Sequence, residues 1–341
     1  MTSDSSFNAE KRQFHRLIRE LPDLESFVFD CVRQIPSGKV TTYGDIAQFM
    51  GSKAASRWVG QILLNHVHDV SCKCHRVVRA GGDVGLFVTD SDKKDLLAQD
   101  GIMFRNGRVD LERHSFSDFA GERPLVQLAR IQQQVIGQFQ DLCWSDKQIT
   151  TTAGVDVSYK GQLGFAAYVL YDLKSKSVEW TNVVSEEITF PYIPSFLSFR
   201  ELPLLLNAID AARDQGRMAD LILVDGSGIL HPRRAGIATM LGILVDVPTV
   251  GVTKKHLAGK LDQIPTSNRT QQAVSIDDEI LGYAFLPRNT TKKPLYVSPG
   301  NGIDPESAFR FVQSCMLGRA LPEPIYWADK LSRAESKKST S

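Results

Sequence analysis

Leu221-Ile-Leu-Val-Asp-Gly-Ser-Gly-Ile-Leu-His-Pro-Arg-Arg-Ala-Gly236 decides how this 341-residue chain folds. Its first four residues form a continuous apolar run that stops at Asp225-Gly226, as expected of a strand buried on both faces of a parallel sheet. Downstream, Arg233 to Leu244 reads as a helix and Thr249 to Val252 as a second short buried strand. Upstream, Ser198 to Asp214 reads as a helix. Before it, Ile149 to Val157, Phe165 to Asp172 and Ser177 to Phe190 alternate β-branched and aromatic residues, the pattern of an antiparallel meander. The order βββ-α-β-α-β predicts an α/β fold, a mixed sheet with helices packed on it.

Three acids fall on separate elements of that sheet. Asp156 lies inside Gly154-Val-Asp-Val-Ser-Tyr159 on the first strand, Glu201 lies on the helix, and Asp225 ends the buried strand. A carboxylate inside an apolar strand is costly unless something pairs with it. Each Asp alone reads as a strand-end cap, but three acids converging from separate elements suit a hard divalent cation. Two such ions about 4 Å apart activate a water and stabilise the leaving oxygen of a phosphodiester.

Composition restricts the alternatives. Apolar residues at 42% and charged residues at 23% indicate globular protein rather than disorder. The length suits two domains at roughly 150 residues each. Forty Lys and Arg against 39 Asp and Glu leave a formal charge of +1, so nucleic-acid binding must rest on local patches. No apolar stretch reaches the roughly 18 residues of a membrane span, and the N-terminus lacks a signal-peptide core. Five cysteines with no framework spacing (Cys31, Cys72, Cys74, Cys143, Cys315) point to a reducing cytoplasm.

The N-terminal third is mostly helical. Phe27 to Arg33 reads as a helix ending at Ile35-Pro-Ser-Gly38. Thr42-x-x-Asp45 is a capping box opening a second helix, and Ala54 to Leu64 forms a third. The last two make a helix-turn-helix pattern. Arg105 to Pro124 is polar, with Gly and Pro, and is expected to link domains spanning 1–116 and 117–341. Leu125 to Gln140 reads as a helix, and the Lys- and Ser-rich tail from Ser332 as disordered.

His66-Val-His-Asp-Val-Ser-Cys-Lys-Cys-His75 holds three His and two Cys. Its Cys-x-Cys pair is not finger spacing and no second Cys/His pair follows, so no structural zinc is expected. A Cys beside His and cationic residues is instead suited to be a nucleophilic thiolate, here Cys74. Lys53, Arg57, Lys73, Arg76 and Arg79 stand against Asp69 alone between positions 53 and 79, a local basic patch.

Two family resemblances then emerge. Phe190-Pro-Tyr-Ile-Pro-Ser-Phe-Leu-Ser-Phe-Arg-Glu201, the opening stretch up to Gly236, and Pro248-Thr-Val-Gly-Val-Thr-Lys-Lys255 together resemble endonuclease V from about Gly121 onward. The resemblance implies an RNase H-like fold and Mg²⁺-dependent nicking, with Mn²⁺ as a substitute, at the second phosphodiester bond 3′ of deaminated bases such as hypoxanthine. By matching position, Asp156, Glu201 and Asp225 would hold metal, and His231 and Lys254 would serve the scissile phosphate. Tyr192 would wedge into the gap left by the damaged base, and Ser195 and Gly226 would lie along the DNA. Ser195 stands where the family usually has Gly, and Asn301 where it usually has His.

Val40-Thr-Thr-Tyr-Gly-Asp-Ile-Ala47, Ala55-Ser-Arg-Trp-Val-Gly60 and Cys74-His-Arg-Val-Val78 resemble the DNA-binding half of O6-alkylguanine-DNA alkyltransferases, over about Ser26 to Gly101. That implies a once-used acceptor Cys74, activated by His75 through water. Tyr43 would turn the nucleotide out, Arg57 would fill the vacated stack, Asn65 would brace the active-site turn and Arg76 would contact DNA. Lys73 replaces the usual Pro, Phe87-Val-Thr-Asp90 the usual Tyr-Ser-Gly-Gly, and Asp100 the Glu that orients the His. Cys72 is read as a bystander, and Cys31, Cys143 and Cys315 as core or surface thiols. The expected whole is a monomeric, bifunctional DNA-repair enzyme needing no cofactor in its first domain. Its rival is a nuclease fused to a non-catalytic lesion sensor.

Overall fold

The structure is a computed structural model and describes residues 12–68, 72–87, 92–139, 149–265, 271–287 and 293–338. Val88 and Cys143 lie outside the described residues. The chain divides into two compact units. One comprises 21–130 with 191–194, and the other 1–20, 131–190 and 195–341. Helix α1 (residues 12–19) groups with the second.

In the first unit, α2 (Leu24–Gln34) starts at Asp23, whose carboxylate accepts from the Ser26 amide at 3.0 Å, and ends just before Pro36. Strand β1 (Thr41–Thr42) leads into α3 (Tyr43–Met50) through the expected capping box. Thr42 Oγ1 accepts from the Asp45 amide at 3.0 Å, and Asp45 Oδ2 accepts from the Thr42 amide at 3.1 Å. Gly51 (φ 121°) ends α3, where a Cβ would sit 2.6 Å from the Val126 amide nitrogen. Helix α4 (Ser56–Asn65) completes the helix-turn-helix pair. A 3-10 turn, Cys74–Arg76, leads into β2 (Val77–Val78), which pairs in parallel with β1, and α5 (Lys93–Gln99) follows.

The stretch 105–124, expected as a linker, is folded. Strands β3 (Phe104–Arg105) and β4 (Arg108–Val109) form a hairpin across Asn106 and Gly107, both at positive φ as a tight primed turn requires. Helix α6 (Leu111–His114) follows and Phe119 is buried. Val109 joins Val40, Val78, Leu97 and Ile102 in the core. The polarity of this stretch is that of a hairpin surface. Helix α7 is Pro124–Ile136.

The second unit is built on an eight-stranded mixed sheet. Its meander is β5 (Thr151–Lys160), β6 (Leu163–Asp172) and β7 (Ser177–Glu187), followed by α8 (Leu197–Asp214), β8 (Leu221–Asp225), α9 (Ile237–Val245) and β9 (Thr249–Thr253). This is the anticipated order and the frame of an RNase H-like sheet. Strands β10 (Gln271–Ile276), β11 (Glu279–Phe285) and β12 (Leu295–Asn301) extend it to the order β10-β11-β12-β9-β8-β5-β6-β7, with α10 (Pro305–Ser314) over the extension. Helix α9 begins at Ile237 rather than Arg233 because Arg234 adopts left-handed φ (54°), which a helix cannot continue through. The tail expected to be disordered from Ser332 is instead the last turns of α11 (Glu323–Lys338), and Ser332 is fully buried. The α11 face made by Ile325, Ala328 and Ser332 is apolar or small enough to lie on β5 and β6. Gly154 permits the approach, since a Cβ there would come 2.1 Å from the Pro324 carbonyl.

Candidate active sites

The acidic site follows from strand register. β5 and β8 are parallel with Val155 opposite Val224, so Asp156 and Asp225 emerge side by side one residue later. Gly154 and Asp156 share a face of β5 by its two-residue period, and α11 covers that face. It delivers Asp329, which the sequence reading missed. Carboxylate oxygens of Asp156, Asp225 and Asp329 lie within 4.8 Å of one another. One turn on, Ser332 Oγ donates to Asp156 Oδ2 at 2.8 Å, and Arg333 pairs with Asp329 at 2.8 Å. Burial, then the charge of Asp156, pushes the Asp225 carboxyl up to about 7, and burial raises that of Asp156. Hard carboxylate oxygens gathered in this way are the donor set a divalent cation satisfies.

Glu201 stands beside this trio rather than in it. Its Oε1 accepts from Tyr159 Oη at 2.6 Å. Burial, and then the Asp156 and Asp225 charges, push its carboxyl up to about 8. Lys254 is exposed just beyond β9, and its charge lowers the Asp225 carboxyl pKa.

His231 is not brought to the acids. It is buried, its Nε2 donates to the Ser195 carbonyl at 3.1 Å, and its Nδ1 accepts from the Arg233 amide at 3.2 Å. Burial, then the Arg233 charge, pushes its pKa down to about 4. It is a neutral brace for the turn after Tyr192. Arg233 Nη2 and Gln132 Nε2 also donate to the Ser195 carbonyl, at 2.6 and 3.2 Å. Ser195 sits at φ 63°, which explains why glycine suits this position. Tyr192 is 54% exposed, so it is not a core tyrosine. Gly226 is buried where a Cβ would meet Ile237 at 2.3 Å, a packing need for glycine. Asn301 pairs with Thr249 at the start of β9, whereas Asp225 pairs with Val252 near its end, so Asn301 is also remote from the acids.

In the first unit, Asp100 pairs with His75. His75 Nε2 meets Asp100 Oδ2 at 3.0 Å, and Arg76 grips both carboxylate oxygens at 2.6 and 2.9 Å. Arg76 is thereby a clamp beneath the turn. The Cys74 thiol has a different neighbour, His68 Nδ1 at 3.2 Å, while His66 Nε2 meets Cys72 Sγ at 3.0 Å. Cys74 is buried and its thiol is pushed up, first by its hydrogen bond to Cys72 and then by burial. Cys72, accepting that bond, is pulled down to about 4. Cys72 and Cys74 thus share one hydrogen bond, which favours the anion on the sulfur that accepts it. Lys73 donates to the Arg33 carbonyl at 3.1 Å instead of serving the thiol. The cation whose charge lowers Cys74 is Lys93, buried, bonded to the Val77 carbonyl at 2.7 Å, its own pKa pushed down to about 8 by burial.

Tyr43 is partly buried near Cys74 and Arg79, and Arg57 is exposed on α4. Asn65 does not brace the thiol turn. Its Nδ2 donates back to the Gln61 carbonyl at 2.9 Å within α4. Cys31 and Cys315 are buried free thiols, consistent with core positions. Among the described residues no helix is long and apolar enough to cross a membrane.

A mixed sheet with paired strand-end aspartates, joined to a helix-turn-helix unit carrying a Cys-His turn, defines a nuclease coupled to an alkyltransferase-like module. The family model for Endonuclease V matches residues 134–330, and that for the 6-O-methylguanine DNA methyltransferase DNA-binding domain matches 23–102. The chain belongs to the endonuclease V family, in the form that carries an N-terminal alkyltransferase domain. It is 32% identical to the bifunctional methyltransferase/endonuclease of Picrophilus torridus over 86% of this chain and 90% of that protein. The catalytic domain of human Endonuclease V covers 64% of this chain and 98% of its own, at 29% identity and TM-score 0.59. Ciona intestinalis Endonuclease V, solved with DNA containing an inosine followed by a ribo-adenosine, covers 64% and 99% at 25% identity and TM-score 0.56.

Proposed function

We propose that this chain is a two-activity DNA-repair enzyme that nicks DNA at the second phosphodiester bond 3′ of deaminated bases and takes alkyl groups from O6-alkylguanine onto Cys74. The convergence of Asp156, Asp225 and Asp329 within 4.8 Å carries the nuclease reading. These residues would hold Mg²⁺ or Mn²⁺, with Glu201 beside them. The bound ion supplies Lewis-acid stabilisation of phosphoryl charge and activates water. Lys254 offsets charge developing on the phosphate. Tyr192 fills the gap left by the extruded base, on a turn that Gln132, His231 and Arg233 hold through the Ser195 carbonyl. The activities divide near residues 116 and 117, with the protein working as a monomer in a reducing cytoplasm.

In the first domain, Asp100 orients His75, Tyr43 turns the nucleotide out, Arg57 takes its place in the stack, and Arg76 fixes the turn. The Cys74 thiol proton passes through water to His75, the sulfur attacks the alkyl carbon, the carbon–O6 bond breaks, and guanine keeps the electron pair and takes up a proton. A second reading, that this domain only senses alkylated guanine, draws on the raised Cys74 thiol.

The nuclease test is Asp225→Ala, expected to abolish Mg²⁺-dependent nicking of hypoxanthine DNA while binding of alkylated DNA persists. Undiminished nicking overturns the assignment. For the first domain, mass spectrometry after exposure to O6-methylguanine DNA should find one methyl group, on Cys74. Lesion binding without mass gain selects the sensor.

A further inference from the structure

We propose that His66, His68, Cys72 and Cys74 form a binding site for a thiophilic divalent cation of the zinc class. The four side chains are brought together by the end of α4 and the turn that begins at Cys74. One nitrogen or sulfur from each lies within 4.8 Å of all the others. The sulfur–nitrogen separations, 3.0 Å for His66 to Cys72 and 3.2 Å for His68 to Cys74, approach the edges of a zinc tetrahedron. Bonds of about 2.0–2.1 Å to nitrogen and 2.3 Å to sulfur give edges of roughly 3.3–3.8 Å. A small expansion of the cluster would therefore seat the ion.

The surroundings of the rings point the same way. His66 and His68 lie against each other with centroids 4.1 Å apart, His66 is walled by Phe29 at 5.1 Å, and His68 by Phe87 at 5.2 Å. Aromatic walls fix the ring planes. The nitrogens turned away from sulfur, His66 Nδ1 and His68 Nε2, are buried atoms with no hydrogen-bond partner among the described residues. Three half-buried groups and the buried Cys74 thiol are held together here by weak sulfur contacts alone, a poor exchange for the hydrogen bonds that water would give them. Ligation changes the exchange. With the ring protons on the outward nitrogens, the sulfur-facing lone pairs and both sulfurs turn to one centre. Soft sulfur and imidazole select zinc-class ions, whereas the aspartate trio suits hard ones. Finger spacing looks for a second pair after the cysteines; here the pair precedes them, as His66-Val-His68.

The site uses the sulfur to which alkyl transfer is assigned, yet it stands whether or not that sulfur accepts an alkyl group. The test is titration of the full chain, freed of metal, with Co²⁺ and then Zn²⁺. One Co²⁺ should give thiolate-to-metal charge-transfer absorption and the strong visible bands of a tetrahedral site, both displaced by Zn²⁺. Asp225→Asn should keep these bands, separating the site from the acidic cluster. Cys72→Ser should lose the charge-transfer intensity of one thiolate, and His68→Ala should weaken binding by more than about a hundredfold, beyond the cost of an outer-shell change. Zn²⁺ should also slow modification of Cys72 and Cys74 by a thiol reagent in the unaltered chain. Octahedral, thiolate-free cobalt spectra, or bands unchanged by Cys72→Ser, overturn the proposal. Zinc binding with failed alkyl transfer leaves it standing and refutes only the acceptor role.

Discussion

Mild acid should weaken the nuclease unit through His231. The ring is 3% exposed, one nitrogen donates to the Ser195 carbonyl, and the other already accepts from the Arg233 amide. A second proton must enter at that acceptor, facing an N–H and the Arg233 charge. Burial, then that charge, holds the pKa down to about 4 against an ordinary 6.5. The unfolded chain therefore binds more protons between these values. Stability from this residue is fully present above pH 6.5 and is lost as pH falls toward 4. At about pH 4.5 the loss reaches about 2.5 kcal/mol, from 1.36 kcal/mol per unit of separation. Urea unfolding of the metal-free protein and of His231→Gln, at about pH 7.5 and 4.5, isolates the contribution, because the other titrating groups are common to both. The variant should be the less stable at the higher pH, and the gap should shrink by about 2–3 kcal/mol at the lower. Parallel losses in the two proteins would refute the argument.

Asp329→Asn should cut nicking of hypoxanthine DNA by more than about a hundredfold, since an inner ligand outweighs outer-shell partners; near-normal rates at saturating Mg²⁺ would remove Asp329 from the site. Tyr192→Ala should weaken lesion-specific binding by about 1–3 kcal/mol, the worth of one base–aromatic stack, and spare intact DNA. Equal losses on both in a binding titration would deny the ring its wedge role. Gly154→Ala places a Cβ 2.1 Å from the Pro324 carbonyl. It should cost about 1–3 kcal/mol of stability through overpacking and lower nicking with every acid intact, both readable by thermal unfolding and a nicking assay.

The parts of this molecule written in local pattern were legible in the sequence. The apolar run ending at Asp225 is a central strand, the meander has its expected order, and Thr42 and Asp45 cap α3 as their spacing requires. Contacts made across the fold were not legible. Asp329 follows an apolar helical stripe, but lysines and serines beyond it read as a loose tail, because composition does not reveal which serine faces a strand. His231 sits near acids in sequence, yet its ring bonds the Ser195 carbonyl, 36 residues away in the chain. Cys74 lies next to His75 in the chain, but the 3-10 turn sends their side chains to different partners, Asp100 for one and His68 for the other.

Ser332 and Asp156 stand 176 residues apart in the chain. The acidic trio is assembled over a similar span, since α11 carries both Ser332 and Asp329. During synthesis the strands bearing Asp156 and Asp225 can pair long before α11 has been translated. Closing so long a loop is entropically slow to be rewarded. Nascent chains, and products of a premature stop ahead of residue 329, would have two of the three acids and a sheet able to form, without the helix that covers it. With Asp329 required for nicking, as proposed, the order of manufacture would act as a safety catch, arming hydrolysis of DNA only on polypeptides read through to their final helix.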